Sequence, residues 1–385
     1  MARKGFFTLM ALLLLSLILA TPVLAEKGID EKNKVIKVAV VGPLTGEMAV
    51  YGVDQKKGAE AAIKKFNEAG GFKKGKYAGY KLEAAYFDDK ADPKESANIA
   101  QQVVIGDLFA EVGPTNSSPA SSSAPIYDRA NMPMILVYAS DTRLTHSGYK
   151  NVFRIVVTTD TEAESYARHA SQTLKAKKVV EIWENTAYGQ ALHNSYVKNI
   201  KASGGTLLAT ESIDAAKDVD FKAILTKMKE LKPDLLQLNV TYTPGGLIVN
   251  QARGMGFDVP MLSAIGCNNP KFREMMPEKP GVVYLSPTFN QLSSEKEVVD
   301  FIKFYKELFK ADPSESAALA YDGINSLIAA VEAGAVKREE LKTFLRKVDF
   351  PGVTNRIRFD EFGDVSQPSL PLWILDETKN WKTYK

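Results

Sequence analysis

Short apolar runs separated by amphipathic helical stretches recur from residue 35 to residue 286, and this alternation restricts the chain to a narrow set of folds. Residues 35–44 are rich in β-branched side chains, Ala59, Ala62, Ile63 and Phe66 share one helical face, and 82–88 returns to strand character. Asp92-Pro93 with Glu95 behind it is a helix start, an acceptor at the cap followed by Pro in the first turn. Further apolar runs fall at 108–113, 134–138, 152–157, 179–184, 235–240, 260–265 and 282–286. Strands alternating with helices make βαβ units, and those require parallel sheets. The expected class is α/β.

Two blocks share this build, residues 35–158 and 177–288, with no Pro- or Ser-rich linker between them. Two lobes joined by short crossings fit that layout better than independent domains on a string. The amphipathic stretch 298–309 and the Ala-rich stretch 317–333 read as added helices, and 356–360 and 371–375 as closing strands.

Residues 1–25 stand apart. Arg3 and Lys4 precede an apolar run over 6–20, Pro22 breaks it, and Val23 and Ala25 occupy the small-residue positions before a cut. That is the order of a secretory signal, and the run is too short to span a bilayer comfortably. No Cys lies near the cut, so no lipid-modified terminus is expected. Cleavage after Ala25 removes 25 of 385 residues and two cations, leaving 360 residues with 47 basic against 46 acidic side chains. A balance of +1 gives no electrostatic case for nucleic acid. Lys73, Lys74 and Lys76 read as a solvated loop. Cys267 is the only cysteine, so no internal disulfide forms and the core must hold the fold.

Ligands of open parallel sheets sit beyond the carboxyl ends of the strands. After the run at 108–113 comes Pro114-Thr-Asn116-Ser117-Ser118-Pro119, with Ser121, Ser122 and Ser123 following. A Ser cap with Pro at the first helical position offers free N–H groups and hydroxyls at the positive end of a helix, an anion seat. The run at 134–138 ends in Ala139-Ser140-Asp141-Thr142, a second hydroxylated strand end. Tyr51, Tyr188 and Tyr242 occupy comparable turns, each an apolar wall with a polar tip suited to a small ligand.

Enzyme signatures are poor. Residues 70–76 approach a phosphate-binding loop, but Tyr77 replaces the required Ser or Thr and a helix precedes it. No nucleophile elbow, zinc-binding His pair or dinucleotide-binding Gly turn is present. Of the three histidines, His146, His169 and His193, the last two lie in helical patterns and are expected at the surface. Asp88, Asp89 and Asp92 are explained by a strand end and a helix cap rather than a metal. Cys267 has no histidine placed to activate it and is expected as a pocket-lining or semi-buried thiol. Neither catalysis nor a cofactor or metal is expected, and a secreted hydrolase is the weakest alternative.

Val41-Gly-Pro-Leu-Thr-Gly46 with Tyr51-Gly52, the 111–117 turn, Phe153-Arg154, Tyr188-Gly189, Gln251-Ala-Arg253-x-x-Gly256, and Gly352-Val-Thr with 359–364 together resemble the periplasmic leucine/isoleucine/valine-binding proteins. Those are the type I solute receptors of ABC importers. The resemblance implies two Rossmann-like lobes joined by three crossings, with boundaries near 158, 288 and 366: 35–158 plus 289–366 in one lobe, 159–288 plus 367–385 in the other. It implies a monomer working in the periplasm with an ABC permease of the inner membrane. It assigns Ser117 to a ligand carboxylate, Tyr138, Ala139 and Ser140 to the zwitterion, Tyr51 and Tyr188 to the pocket walls, and Thr241 or Tyr242 to an aromatic position.

One departure bears on the ligand. Amino-acid receptors of this group place an acid after the 260–262 strand to pair with the ammonium, and Ile265 holds that place here. A buried ammonium without a counter-charge is costly. Asp141 or Asp160 serves instead, or Asn268 with backbone carbonyls suffices, or the ligand lacks an amino group. The expected solute is a branched-chain or other hydrophobic amino acid. The alternative is an aromatic acid or an amide- or urea-type solute, which Tyr242, Tyr284 and Phe289 near Ile265 would favour.

Overall fold

A computed structural model describes residues 26–366 and 370–385; the expected signal segment and residues 367–369 at the expected third crossing lie outside the described residues. The first part of the chain runs β1 (Ile29–Asp30), β2 (Val35–Gly42), α1 (Ala49–Glu68), β3 (Lys81–Asp88), α2 (Pro93–Ile105), β4 (Glu111–Val112), α3 (Ser117–Arg129), β5 (Met134–Leu136), α4 (Arg143–His146) and β6 (Val152–Arg154). Strands β3-β2-β4-β5-β6 lie side by side and parallel, with β1 antiparallel to the start of β2. The second part runs α5 (Thr159–Arg168), β7 (Lys178–Glu184), α6 (Ala187–Ala202), β8 (Thr206–Ile213), α7 (Lys222–Glu230), β9 (Leu235–Asn239), α8 (Tyr242–Gly254), β10 (Met261–Ser263), α9 (Pro270–Met275) and β11 (Val283–Leu285). These strands make a second parallel sheet, β11-β10-β9-β7-β8.

Helices α10 (Lys296–Phe309) and α11 (Glu315–Glu332) then return to the first lobe and pack on α1. The α1–α11 approach is close enough to need a glycine, because a Cβ on Gly58 would stand 2.0 Å from the Ala317 carbonyl oxygen. After α12 (Leu341–Leu345) and the hairpin β12 (Phe350–Pro351) and β13 (Arg356–Ile357), the chain ends on the second sheet. There β14 (Trp373–Leu375) pairs antiparallel with β11, and β15 (Trp381–Thr383) with β14. Two α/β lobes with mainly parallel sheets are thus present, as the sequence pattern requires.

The β runs are apolar on both faces because helices cover both. In β2, Val38 and Val40 enter the core beneath α1 and α11, while Ala39 and Val41 face the core beneath α2 and α3. Most observed strands are shorter than the apolar runs that announced them. Beyond the last ladder bond the chain stays largely buried but turns toward the gap between the lobes, as at Val137 and Ala139, which flank the half-buried Tyr138, and at Ala264 and Ile265. Strand β8 was missed: it is an edge strand whose side chains alternate toward solvent, so Thr, Glu and Ser dilute its apolar signal.

Arg154, fully buried at the end of β6, ties three segments together. Its Nε donates to Asp364 (2.8 Å), Nη1 to the Asp141 carbonyl (2.7 Å) and Nη2 to Thr145 Oγ1 (2.5 Å). It thereby fixes the chain just beyond β5 to the returning segment at 364, which also bridges β6 directly.

The lobes touch through hydroxyls on backbone carbonyls. Tyr51 Oη donates to Gly266 O (2.5 Å), Tyr138 Oη to Ile265 O (2.7 Å) and Tyr242 Oη to Glu47 O (3.3 Å). Asn268 donates to Glu315, which also accepts from the Thr288 N–H (2.8 Å). Tyr166 Oη accepts from the Ile265 N–H (2.9 Å) and donates to Glu162 (3.1 Å), to which Tyr188 Oη also donates (3.2 Å). Burial pushes Glu162 up to about 8 and Glu315 up to about 7, against hydrogen bonds that favour their charged forms.

Two outcomes follow. Arg154→Met removes the buried cation from Asp364, leaving it Thr145 and the partly exposed His146 (3.0 Å), and costs about 3 kcal/mol in urea unfolding, whereas Arg154→Met with Asp364→Leu costs less than the two single changes summed. The raised carboxyls set a pH dependence. Folded, Glu162 and Glu315 hold protons up to about 8 and 7; unfolded, they release them near 4.5. The stability they contribute is full below about pH 4.5 and drains as pH rises to 8. Urea midpoints should therefore fall from pH 5 to pH 8, and Glu162→Gln should make that fall shallower.

Candidate functional site

The carboxyl ends of both sheets face the gap between the lobes, and a cavity of about 270 Å³ lies there. The first lobe supplies Tyr51 from α1, Thr115 to Ser118 from the β4–α3 turn, and Tyr138 from beyond β5. The second supplies Glu184 and Tyr188 from the β7–α6 turn, Thr241 at the cap of α8, and Ile265 and Gly266 from beyond β10.

The β4–α3 turn opens the start of α3 onto the cavity. Asn116 is the cap residue, extended and with no side-chain capping bond, so Ser117 and Ser118 are the first two helical residues. This corrects the expectation of a Ser cap with Pro at the first helical position, since Pro119 stands third. The consequence is favourable to an anion: the orphan N–H groups at the start of α3 line the cavity rather than being consumed by a capping side chain. Ser117 Oγ accepts from the Asp141 N–H (3.3 Å), joining this turn to the next strand end.

The second lobe's wall is built on the β7–α6 turn. Thr186 caps α6 by accepting from the Gly189 N–H (3.1 Å), and α6 begins so close to β7 that a Cβ on Gly189 would stand 2.0 Å from Glu184 O. Glu184 is buried. Its Oε2 accepts from the Thr241 N–H and Oγ1 (2.8 Å each) and its Oε1 from Thr186 Oγ1 (2.9 Å), and burial raises its carboxyl above the usual range. Burial also holds the phenols of Tyr51, Tyr138 and Tyr188 well above their ordinary value, so all three remain donors.

Of the nine residues expected from the sequence, Tyr51, Ser117, Tyr138, Tyr188, Thr241 and Ile265 line this cavity. Ala139 and Ser140 are buried just behind Tyr138, with the Ser140 hydroxyl close enough to Glu162 to favour its charged form. Tyr242 lies edge-on to Tyr51, ring centres 5.4 Å apart, and its N–H donates to Tyr51 Oη (3.4 Å). Tyr284 packs on Tyr384 and Phe289 on Phe301, away from the cavity. The proposed substitute acids are elsewhere too: Asp141 pairs with Arg143 (2.6 Å) and Asp160 is exposed. Asn268 is engaged by Glu315. Glu184, overlooked in the sequence, is the buried acid of the wall; its signal is its place as the last residue of a strand.

Cys267 is fully buried outside the lining, its thiol donating toward Val240 O (3.4 Å) and pushed well above its ordinary value by burial. It is neither pocket-lining nor a nucleophile. His169 and His193 are not surface residues either. His169 Nε2 lies 3.3 Å from Leu370 O, and His193 stacks on Trp183 and reaches Glu181 (2.8 Å). Among the described residues no cluster of metal-ligating side chains is present, and no helix is long and apolar enough to cross a membrane.

The chain matches the family model described as periplasmic binding protein over residues 35–376. It is 27% identical over 350 residues to the leucine-, isoleucine-, valine-, threonine- and alanine-binding protein of Pseudomonas aeruginosa, covering 89% of this chain and 91% of that one. Its structure resembles the branched-chain amino acid transporter substrate binding protein LivJ of Streptococcus pneumoniae in complex with isoleucine: TM-score 0.82, 28% identity, 91% of this chain and 98% of that one. A solute binding protein of an R. palustris ABC transporter in complex with benzoate shares the fold at TM-score 0.81 and 18% identity, over 91% and 95% of the two chains. With a family match that runs across both lobes, this chain belongs to the periplasmic binding protein family and is a solute-binding protein.

Proposed function

We propose that this chain is an exported receptor of an ABC importer that captures a hydrophobic amino acid of the branched-chain class between its lobes. One observation carries the proposal: a small cavity at the strand ends draws its wall from both lobes and has the start of α3 in it. The N–H groups of Ser117 and Ser118 with the Ser117 hydroxyl hold the carboxylate. Tyr51, Tyr138 and Tyr188 enclose the apolar body, with Thr241 and Ile265 completing the wall. Ala139, Ser140 and Tyr242 support it from behind. A ligand bound to both walls favours the closed arrangement, because only there are all its contacts made together.

In this proposal residues 1–25 are a signal removed after Ala25, the lobes divide near 158, 288 and 366, and a monomer delivers solute in the periplasm to a permease of the inner membrane. The named relatives, which bind branched-chain amino acids, support the ligand class. The positions of Tyr284 and Phe289 away from the cavity weigh against the aromatic-acid and amide alternative. The deep burial of Cys267 weighs against a hydrolase.

Thermal-shift screening tests the ligand class. At 100 times its dissociation constant a ligand adds about 2.7 kcal/mol to stability. Leucine, isoleucine or valine should raise the melting temperature while benzoate and simple amides do not; the reverse pattern overturns the amino-acid proposal. Ser117→Ala should weaken the responding ligand about tenfold or more by calorimetry, the loss of a hydrogen bond to a charged group. Tyr51→Phe removes the bond to Gly266 O across the gap and should speed dissociation about tenfold in stopped-flow release, with little change in the association rate.

A further inference from the structure

The two walls of the cavity differ in polarity. On the first lobe the start of α3 presents a positive helix end. Among the described residues lining the cavity there is no Lys, Arg or His, and there are three carboxylates: Glu47, Glu184 and Asp214. Asp214 is answered by Lys217 (2.8 Å) and Glu47 is exposed to water. Glu184 alone is buried, and its partners are neutral: the hydroxyls of Thr186 and Thr241 and the Thr241 N–H. Carboxylates are almost never fully buried unless paired, because leaving water costs far more than neutral hydrogen bonds return.

We infer that Glu184 is the counter-charge for a cationic nitrogen on the ligand, so that this site selects a zwitterion held with its carboxylate at α3 and its ammonium at the end of β7. The inference rests on the proposed receptor function and names the half of the ligand that Ile265 leaves without a partner. Burial raises the Glu184 carboxyl against the three hydrogen bonds that favour its charge; an ammonium beside it stabilises the carboxylate, and a monoanion without an amino group does not. A zwitterion neutralises both walls at once. The other buried acid nearby, Glu162, is shared by Tyr166 and Tyr188 and is pushed up to about 8, so near neutral pH it is mainly uncharged and a poor ammonium partner. The carbonyls of Ile265 and Gly266 already accept from Tyr138 and Tyr51.

The test is calorimetric binding of L-leucine and of 4-methylpentanoate, the same skeleton without the amino group, to the mature chain and to its Glu184→Gln and Glu162→Gln variants. The unmodified protein should prefer leucine. Glu184→Gln should reduce that preference by about 30-fold or more, and Glu162→Gln should leave it largely intact. The ratio of two ligands within one variant cancels any general weakening of the fold. If the unmodified protein binds 4-methylpentanoate as well as leucine, the inference falls while the receptor function stands. If the preference survives Glu184→Gln or is lost in Glu162→Gln instead, Glu184 is not the partner. If neither ligand, nor any amino acid in the thermal-shift panel, binds the unmodified protein, the amino-acid proposal fails and the inference with it.

Discussion

Parallel sheets put all their strand ends on one side, and here two such sides face each other across a narrow gap. Every chain segment leaving a strand must satisfy its backbone groups there without a ladder partner. The segment beyond β10 illustrates the solution. Its Ile265 N–H is met within the second lobe by Tyr166, but its Ile265 and Gly266 carbonyls are met from the first lobe by Tyr138 and Tyr51. The lobes are thus joined through the hydrogen bonding of the strand ends. Water replaces the phenols when the lobes part, so each contact across the gap contributes little net free energy, of order 0.5–1.5 kcal/mol. In the proposed mechanism a small ligand that touches both walls is then sufficient to shift the balance.

Electrostatics sharpens the same point. Three buried glutamates surround the gap, and two of them escape the cost of buried charge by holding a proton near neutral pH, Glu162 among phenols and Glu315 beside Asn268. Glu184 is treated differently. It receives three hydrogen bonds from Thr241 and Thr186, which oppose the rise that burial imposes. All three acids are raised by burial, and the one held by three hydrogen bonds that favour its charged form is the one that reaches the cavity.

The β-branched content of 35–42 and 178–184 and the helical faces between strands made the two α/β lobes legible in the sequence, because a strand buried on both faces is continuously apolar. Legibility failed where that physics lapses. Strand β8 is half solvated at the edge, and β1 and β12 are two-residue pairings with no pattern to detect. The site was legible through turn chemistry. Hydroxyls and aromatics directly after strands marked Ser117, Tyr51 and Tyr188, since topology places strand ends together whatever the sequence spacing. The acid on the opposite wall was not legible. Glu184 becomes unusual only through burial and the lack of a cation nearby, and both are set by segments far apart in sequence: Thr241 lies 57 residues away.

Ile265 shows what a local reading leaves out. Taken alone, an apolar residue at an acid's expected position suggests a ligand without an amino group. In three dimensions its backbone is fully engaged, N–H by Tyr166 and carbonyl by Tyr138, so the position serves as part of the closure contact, with its side chain an apolar patch of wall. An acidic side chain is still present in the wall, reached from the end of β7 instead of β10. Neighbouring strand ends of one sheet open onto the same cavity, so a charge can be delivered from any of them, and the fold tolerates exchange among these positions without moving a strand. The polarity of the wall therefore says more about the ligand than the identity of any single position does.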